Sequence, residues 1–358
     1  MGRIGVYIHI PFCKSRCIYC DFFSTTQLDK REEYVQAVIK EAQNRITQPA
    51  DIQTVYFGGG TPSLLSVEQI KRILDAINPI NATEITLEAN PGDLTADKLR
   101  EVRKIGINRL SIGIQSFRDD ELTFLGRRHN AAQAKEAVRM AQDAGFDNIS
   151  IDLMYALPNQ TMANWQYNID EALKLGVQHI SCYCLTFEMH SRLFRLAEEG
   201  KITPADEDTE NAMYDILCEK LAATGYEHYE VSNFALPNRH SMHNSSYWND
   251  TPYIGLGAGA HSYNGSKRRW NIADLSAYVK HMLSMSKYWE EETLDSEQKA
   301  MERIMLGLRT SNGILATPDL LTKAHPFLNS GQLCIKNDRL VATQSGLHIL
   351  NRLIEALI

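Results

Sequence analysis

The chain has 358 residues, of which 44% are hydrophobic and 23% charged, and this composition is typical of a globular protein of about two domains. A formal net charge of −7 argues against a general nucleic-acid surface, although a local basic patch stays open. Seven scattered cysteines do not indicate a secreted disulfide framework, no signal peptide is recognised, and no run is long enough to span a bilayer. We expect a cytoplasmic protein without a transmembrane segment or a nucleic-acid partner, and peripheral membrane contact stays open.

Six short β-like runs recur along the first half of the chain, and a helical pattern follows each of them. Alternating strands and helices predict a parallel sheet with right-handed crossovers. Six such units predict an open (β/α)6 barrel of the α/β class, a shortened relative of the eight-fold barrel, with its chemistry on the loops after the strands. The predicted strands cover residues 6–10, 54–58, 84–88, 109–114, 148–153 and 179–185.

Capping signals predict where several helices begin and end. Ser66 begins the capping box SVEQ, and apolar residues follow it at helical spacing. Gly145 and Gly176 are placed to end the two helices that follow the fourth and fifth strands. An amphipathic helix is predicted over 206–224.

The rest of the chain changes character. A Gly-, Asn- and aromatic-rich region is followed by a helix–helix–hairpin–helix pattern that resembles a winged-helix module. Its last helix, over 346–358, has few basic residues, so we expect a packing or regulatory module and not a DNA reader. We divide the chain into a barrel over 1–205, an extension of the barrel over 206–285 that carries the sequence HNSSYW, and a winged-helix-like module over 286–358.

Three cysteines, Cys13, Cys17 and Cys20, follow the first predicted strand with C-x3-C-x2-C spacing. A closed zinc site needs four ligands, and His9 would have to turn back from the strand to be the fourth. A [4Fe–4S] cluster on three thiolates keeps one iron open, and S-adenosylmethionine (SAM) can chelate such an iron through its amino and carboxylate groups. Tyr19 would shield the cluster from water. An incidental group of reactive or zinc-binding cysteines is the alternative.

Each of the next four predicted strands has a glycine-rich or polar group at or after its carboxyl end. Because these ends meet on one rim of a barrel, the groups together indicate a single ligand site. Taken singly, each of them is an ordinary turn, cap or ion-pair residue. The groups are the GGGTP sequence with Gly58, Gly59, Gly60 and Thr61, then Glu88, Gln115 with Arg127 shortly after it, and Asp152.

The cysteine spacing and the glycine loop resemble the radical SAM superfamily, and the string YIHIPFCKSRCIYC resembles its oxygen-independent coproporphyrinogen oxidase-like group. The resemblance implies that Cys13, Cys17 and Cys20 ligate a [4Fe–4S] cluster and that SAM binds its open iron. It also implies that the glycine loop accepts the methionyl amino group and that Arg127 clamps the carboxylate. Other SAM contacts would hold ribose hydroxyls or amino groups or pack beside them. The cofactor-binding residues so implied are Tyr7, Tyr19, Gly58, Gly59, Gly60, Thr61, Glu88, Gln115, Arg127 and Asp152.

Two departures separate this chain from the oxidases of that group. Phe22 occupies the position of a fourth cysteine, and the cluster sequence begins at Cys13 without the long extension that precedes it in the oxidases. The chain resembles instead the heme-chaperone branch of the group. The shared sequences are CDF after the third cysteine, LGRRHN (125–130), YEVSNFA (229–235), HNSSYW (243–248) and GLGAGAHSY (255–263).

This resemblance implies a protein that binds a [4Fe–4S] cluster, SAM and heme and delivers heme to client proteins, with flavodoxin or ferredoxin as an electron donor. His243, with Tyr247 and Trp248 nearby, is the candidate axial ligand of heme, and a structural histidine near the barrel mouth is the alternative. The weaker ligand candidates are His240, His261 and the pair Cys182 and Cys184. Reductive cleavage of SAM would be carried by the cofactor, and its use here stays open.

Two other functions stay open. One is oxygen-independent coproporphyrinogen III oxidase, a radical SAM enzyme of porphyrin biosynthesis. The other is a zinc-dependent binding protein without SAM chemistry.

Overall fold

Six parallel strands, each followed by a helix, form the centre of the computed structural model, which describes residues 3–46, 51–284 and 286–358. The strands pair in chain order from β1 to β6, and each overlaps a predicted run, so the predicted α/β fold class is confirmed. In chain order the elements are Ile4–Ile10 (β1), Arg31–Arg45 (α1), Ile52–Gly59 (β2), Val67–Ile77 (α2), Glu84–Ala89 (β3), Ala96–Lys104 (α3), Arg109–Gln115 (β4), Asp119–Leu125 (α4), Ala131–Asp143 (α5), Ile149–Tyr155 (β5), Met162–Lys174 (α6) and His179–Cys184 (β6).

The chain after β6 adds strands to both edges of this sheet. In the described residues twelve strands form one sheet, in which β8 pairs with β6 and β9 pairs with β1. Since later strands occupy both β1 and β6, these two strands do not pair with each other and the barrel is open. The added elements are Arg192–Glu198 (α7), Glu207–Ala223 (α8), Glu227–Glu230 (β7), Asn233–Ala235 (β8), Met242–Trp248 (α9), Tyr253–Leu256 (β9), His261–Tyr263 (β10), Lys267–Asn271 (β11), Leu275–Ser284 (α10) and Trp289–Thr293 (β12).

The last elements surround a second apolar core that includes Leu308, Leu333 and Leu353. They follow the predicted order of two helices, a hairpin and a helical end, but the last predicted helix is broken at Ile349, whose φ is −116°. β12 still pairs with β11 of the main sheet, so the change of core comes after β12. These elements are Ser296–Gly307 (α11), Ile314–Leu315 (β13), Pro318–Asn329 (α12), Leu333–Lys336 (β14), Arg339–Ala342 (β15), Gln344–His348 (α13) and Leu350–Leu357 (α14).

The predicted capping signals are present at the helix ends. Ser66 Oγ accepts from Gln69 N–H while the Gln69 side chain accepts from Ser66 N–H, which is the reciprocal capping box at the start of α2. Gly145 and Gly176 follow α5 and α6 with φ of 86° and 62°, a left-handed conformation that glycine adopts without strain. Sequence signals therefore fix these boundaries locally.

The barrel strands alternate between apolar residues that face the helices and polar residues that face the interior. On β4, Leu110 and Ile112 belong to the apolar core, whereas Arg109 and Ser111 point inward. Ser111 Oγ donates to Asp152 on β5 at 3.3 Å, a contact across the interior face. The interior is thus a polar space that opens toward the carboxyl ends of the strands. In the described part of the chain, no helix has the length and apolar character that crossing a membrane requires.

Candidate cofactor site

A cavity of about 790 Å³ opens at the carboxyl ends of the barrel strands. It is lined by loops that follow successive strands, as the sequence predicts for a ligand site. Gly58, the first residue of the glycine loop, and Tyr7, which packs against it, lie below the cavity lining, and His243 lies at the other end of the barrel. The predicted site residues that line the cavity are Cys13, Cys17, Tyr19, Cys20, Gly59, Gly60, Thr61, Glu88, Gln115, Arg127 and Asp152.

The loop that carries the cysteines is fixed by backbone hydrogen bonds. Cys13 N–H donates to Thr25 O at 2.9 Å, and Ile18 N–H donates to Leu125 O at 3.3 Å. Ile18 and Tyr19 also pack on a small apolar cluster that includes Leu125 and Leu193. Because the backbone is held on both sides, the three thiols stay on the rim of the cavity.

The thiols lie among polar partners. Thr61 Oγ1 donates to Cys13 Sγ at 3.5 Å, and burial raises the pKa values of Cys13 and Cys20. Among the described residues, no three His, Cys, Asp or Glu side chains stand close enough together to enclose a single metal ion. A four-iron cluster is held by thiolates on separate irons, so three separated thiols around one cavity have the donor chemistry of a cluster site.

The GGGTP loop needs glycine because its backbone lies against β1 and the residues that follow it. A Cβ on Gly60 would lie 2.8 Å from the Pro11 carbonyl carbon, and one on Gly59 would lie 2.6 Å from the His9 ring. Gly59 also has a φ of 110°. The loop therefore brings bare backbone beside the cysteine loop, which suits the binding of an amino group.

Glu88 and Asp152 are partly buried carboxyls deep in the cavity. Glu88 accepts from Tyr56 OH at 2.8 Å and from Gly59 N–H at 3.1 Å. Burial raises the pKa of Glu88 to about 7 and that of Asp152 to about 6. A positively charged ligand in the cavity would favour the ionised form of both groups.

Gln115 faces the cavity from the end of β4, and Arg127 faces it from the loop between α4 and α5. Arg127 donates to Cys17 Sγ at 3.3 Å and to Gly113 O at 2.6 Å. Its buried Nε has no hydrogen-bond partner among the described residues, which suits the arrival of a carboxylate. Gln115 has a φ of 72° at an irregularity of the β4–β5 register, a conformation that costs energy in a residue with a side chain.

His243 is not open to a ligand in this structure. It is 0% exposed, and its two ring nitrogens lie 2.8 Å from Thr54 Oγ1 and 2.8 Å from Tyr247 OH. Thr54 is at the start of β2, so His243 lies at the amino end of the barrel and not near its mouth, where the structural alternative placed it. Its proposed bond to heme stays a prediction that requires these contacts to open.

Sequence reasoning missed several residues of the interior. Tyr56 and Ser111 hold the two carboxyls, and Tyr183 lines the cavity from the end of β6, beside the predicted ligand candidate Cys184. Their signal is polar residues at every second position of a strand, as in Arg109, Ser111 and Gly113 on β4. Such alternation in a buried strand indicates that the barrel interior is polar. The apolar residues of the same runs predict only the core between strands and helices.

The sequence profile of the Radical SAM superfamily matches residues 7–172, which contain both the cysteine loop and the glycine loop. Three cysteines at the carboxyl end of a partial parallel barrel, beside a glycine loop, define the radical SAM class of proteins. The solved structure of the coproporphyrinogen III oxidase HemN from Escherichia coli, a radical SAM enzyme, has a TM-score of 0.84 to this chain. The match covers 99% of this chain and 89% of the HemN chain at 20% sequence identity, so the two proteins share a fold.

Curated relatives narrow this class. The heme chaperone HemW of Bacillus subtilis is 38% identical over 87% of this chain and 84% of its own length. The heme chaperone HemW of Escherichia coli is 38% identical over 72% of this chain and 69% of its own. The mitochondrial radical S-adenosyl methionine domain-containing protein 1 of Danio rerio is 34% identical over 87% of this chain and 73% of its own length. The chain belongs to the HemW family of radical SAM proteins.

Proposed function

We propose that this protein is a cytoplasmic heme chaperone that binds a [4Fe–4S] cluster, SAM and heme and delivers heme to client proteins. The observation that carries the proposal is 38% identity to the heme chaperone HemW of Bacillus subtilis over most of both chains. Phe22, in place of the fourth cysteine of the oxidases, supports a carrier over an oxidase.

In this proposal Cys13, Cys17 and Cys20 hold the cluster. Their three thiols line one cavity, and three thiolates leave one iron for SAM. When bound, the cluster would supply an electron to SAM. A flavodoxin or ferredoxin would have to deliver that electron to the cluster. Tyr19 lies between two of the thiols in sequence and lines the same cavity, where its ring would exclude water.

SAM would lie beside the cysteines, because Thr61 and Arg127, two of the residues proposed to bind it, contact Cys13 Sγ and Cys17 Sγ. The backbone from Gly59 to Thr61 would receive its amino group, and Arg127 would hold its carboxylate through the unpartnered Nε. Glu88 and Asp152 would face its ribose or its positive charge, with Gln115 beside them. These residues bind and orient the cofactor.

Heme is the cargo and needs apolar contact and an axial ligand. At the cavity, the Phe22 side chain is 73% exposed and the Tyr183 side chain is 40% exposed, so both rings are available to a flat apolar molecule. Cys184 lines the cavity beside Tyr183 and supplies a sulfur. His243 would first have to leave Thr54 and Tyr247.

The test is an anaerobic reconstitution of the full chain followed by two assays on one sample. Heme is titrated and followed by its visible absorption, and coproporphyrinogen conversion is measured with SAM and a reductant. We expect stoichiometric heme binding without porphyrinogen turnover. Robust turnover would instead identify an oxidase, and a colourless, zinc-loaded sample would identify a zinc protein.

A triple variant in which Cys13, Cys17 and Cys20 are alanine tests the cluster. We expect it to lose the iron–sulfur absorption and to unfold at the same temperature as the wild type that has not been reconstituted. Cys334→Ala, in the C-terminal module, is the control for thiol loss in general. Survival of the iron signal in the triple variant would contradict the assignment of the ligands.

A further inference from the structure

The helix α9, which contains the HNSSYW sequence, lies at the amino end of the barrel, opposite the cavity. The backbone N–H groups of Met242 and His243 each donate to the Glu84 carboxylate at 2.9 Å, and Glu84 is the first residue of β3. Two N–H groups at the start of the helix, which have no partner within the helix, are satisfied in this way. The helix is therefore attached to the strand starts by its own amino end.

His243 enters the barrel interior from this helix. Its Nδ1 lies 2.8 Å from Thr54 Oγ1 and its Nε2 lies 2.8 Å from Tyr247 OH. A Cβ on Gly5 would come within 3.2 Å of the ring, so the glycine on β1 leaves room for it. Burial lowers the pKa of His243 to about 3, so the ring is neutral and each nitrogen has one role, donor or acceptor, already used.

Two tyrosine rings cover His243 inside the barrel. The Tyr56 ring stacks on it with centroids 5.1 Å apart, and the Tyr7 ring stacks with centroids 6.4 Å apart. A Cβ on Gly58 would lie 2.8 Å from the Tyr7 ring and 2.9 Å from the Tyr56 ring. The order from the amino end is thus histidine, two tyrosines and the glycine loop.

The tyrosine hydroxyls continue these contacts to the cofactor site. Tyr56 OH donates to Glu88 at 2.8 Å, and Glu88 accepts from Gly59 N–H at 3.1 Å. On the other side, Tyr7 OH lies 3.1 Å from His9 Nδ1, and His9 Nε2 lies 2.9 Å from the carbonyl oxygen of Phe23. One line of contacts ends on the glycine loop and the other on the loop that carries the cysteines.

We propose that α9 is the floor of the SAM site and that His243 is a positioning residue, which sets Tyr56 and Tyr7 and through them Glu88 and the glycine loop. His243 thereby acts on SAM from the opposite end of the barrel and is not the axial ligand of heme. The proposal rests on the SAM binding proposed above. It assigns the HNSSYW sequence a role in holding the cofactor site instead of the cargo.

The experiment measures SAM affinity by anaerobic equilibrium dialysis and heme affinity by visible titration on the same reconstituted full chain. We expect His243→Ala to weaken SAM binding about tenfold, the effect of losing one buried hydrogen-bonded contact, and to leave heme affinity unchanged. His243→Gln, whose amide can donate and accept in place of the two ring nitrogens, is expected to restore most of the SAM affinity. His325→Ala, on an exposed face of α12, is the remote control.

Tyr56→Phe keeps the stacked ring and removes only the hydroxyl that reaches Glu88, so it separates positioning from folding. We expect it to weaken SAM binding as His243→Ala does, and the double variant to be less than additive. Loss of heme binding with unchanged SAM affinity in His243→Ala would overturn the inference in favour of an axial ligand. If both affinities fall in His243→Ala, unchanged SAM affinity in Tyr56→Phe would overturn it as well. A wild-type protein that binds heme but no SAM would defeat the proposed SAM site, and this inference with it.

Discussion

At the carboxyl end of the barrel, Arg127 Nε is buried without a partner among the described residues, and the pKa values of Glu88 and Asp152 are raised by burial. At the amino end, both nitrogens of His243 are hydrogen-bonded and Glu84 accepts from two N–H groups of α9. Arg109, at the amino end, also has unpartnered nitrogens among the described residues, but it is buried 4.0 Å from Glu84, whereas Arg127 lines the open cavity. An unsatisfied group costs free energy, and only the one at the cavity can gain its partner from a ligand. The carboxyl end of the barrel is therefore suited to binding a ligand, whereas the amino end is covered by α9.

The largest effect is expected from breaking the closed end. Glu84→Ala removes the acceptor of two α9 N–H groups and takes from Arg109, which is 1% exposed, the carboxylate that lies 4.0 Å away. We expect the free energy of unfolding to fall by about 3–5 kcal/mol. Urea unfolding measures this, and Asp97→Ala in the exposed Arg100–Asp97 pair is the control, with a loss below about 1 kcal/mol. Similar losses in the two variants would mean that α9 does not depend on Glu84.

At the open end, Arg127→Met is expected to act mainly on ligand affinity, with a smaller loss of stability from the lost hydrogen bond to Gly113 O. It removes the only charged group that the proposal assigns to the SAM carboxylate, so SAM binding should weaken by roughly 30- to 100-fold, as for a charge-assisted hydrogen-bonded pair. Anaerobic equilibrium dialysis gives the affinity. Arg139→Met, in an exposed ion pair with Glu136 on α5, is the matched control and should bind SAM as the wild type does. Unchanged affinity in Arg127→Met would place the carboxylate elsewhere.

The raised pKa values of Glu88 and Asp152 predict that SAM binding depends on pH. Since SAM carries a positive sulfonium, its affinity should rise as Asp152 and then Glu88 ionise, and level off above about pH 7. Glu88 faces Asp152, Arg109 and Tyr56, and burial outweighs the lowering effect of the arginine and the tyrosine hydroxyl on its pKa. Dialysis between pH 5.5 and 8, on wild type and Glu88→Gln, should show the upper step only in wild type. The same step in the variant would assign it to another group.

The same pKa shift makes the stability of the protein without ligand fall as the pH rises, whereas the affinity for SAM rises. The pKa of Glu88 rises from 4.5 to about 7 on folding, so its contribution to stability is complete below pH 4.5 and is lost as the pH rises through about 7. Glu88→Gln should therefore flatten the pH dependence of thermal unfolding in this window. A steeper dependence in the variant would contradict the sign.

The smallest effect is expected at the mouth of the cavity. Phe22 is 73% exposed, so Phe22→Ser should change the free energy of unfolding by less than about 0.5 kcal/mol while weakening heme binding a few-fold by the lost apolar contact. Visible titration measures the affinity. Ile80→Ser, at a side chain that is 82% exposed and remote from the cavity, is the matched control. Equal heme affinity in the two variants would remove Phe22 from the cargo surface.

The sequence predicts the barrel strands and the cavity lining because both depend on local patterns. The apolar runs overlap β1 to β6, and polar groups after strand ends must meet on one rim once those strands are parallel. The capping box at Ser66 and the glycines after α5 and α6 are likewise local signals. The predicted residues of these loops therefore come together as expected.

The location of His243 could not be predicted in the same way. The HNSSYW sequence shows residue types suited to a ligand but not the end of the barrel on which they lie. That end is decided by Glu84, some 160 positions earlier, which binds the start of α9, and by β9, which pairs with β1. Contacts between distant segments leave no periodic signal in one sequence, and this is also why the pairing of β12 beyond residue 285 was not anticipated.

A sheet that does not close has two outer edges, and an exposed edge strand can pair with a strand of another chain and lead to aggregation. The outer strand on one side is β12, with sequence WEEET, and its three consecutive glutamates, Glu290 to Glu292, are exposed, so an incoming strand would meet a row of like charges. On the other side, Glu230 of β7 forms a bridge with Thr310, and Val231 N–H donates to Arg309 O at 2.9 Å. The C-terminal module thus covers one edge of the sheet, and negative charge on the other edge disfavours pairing with a further strand.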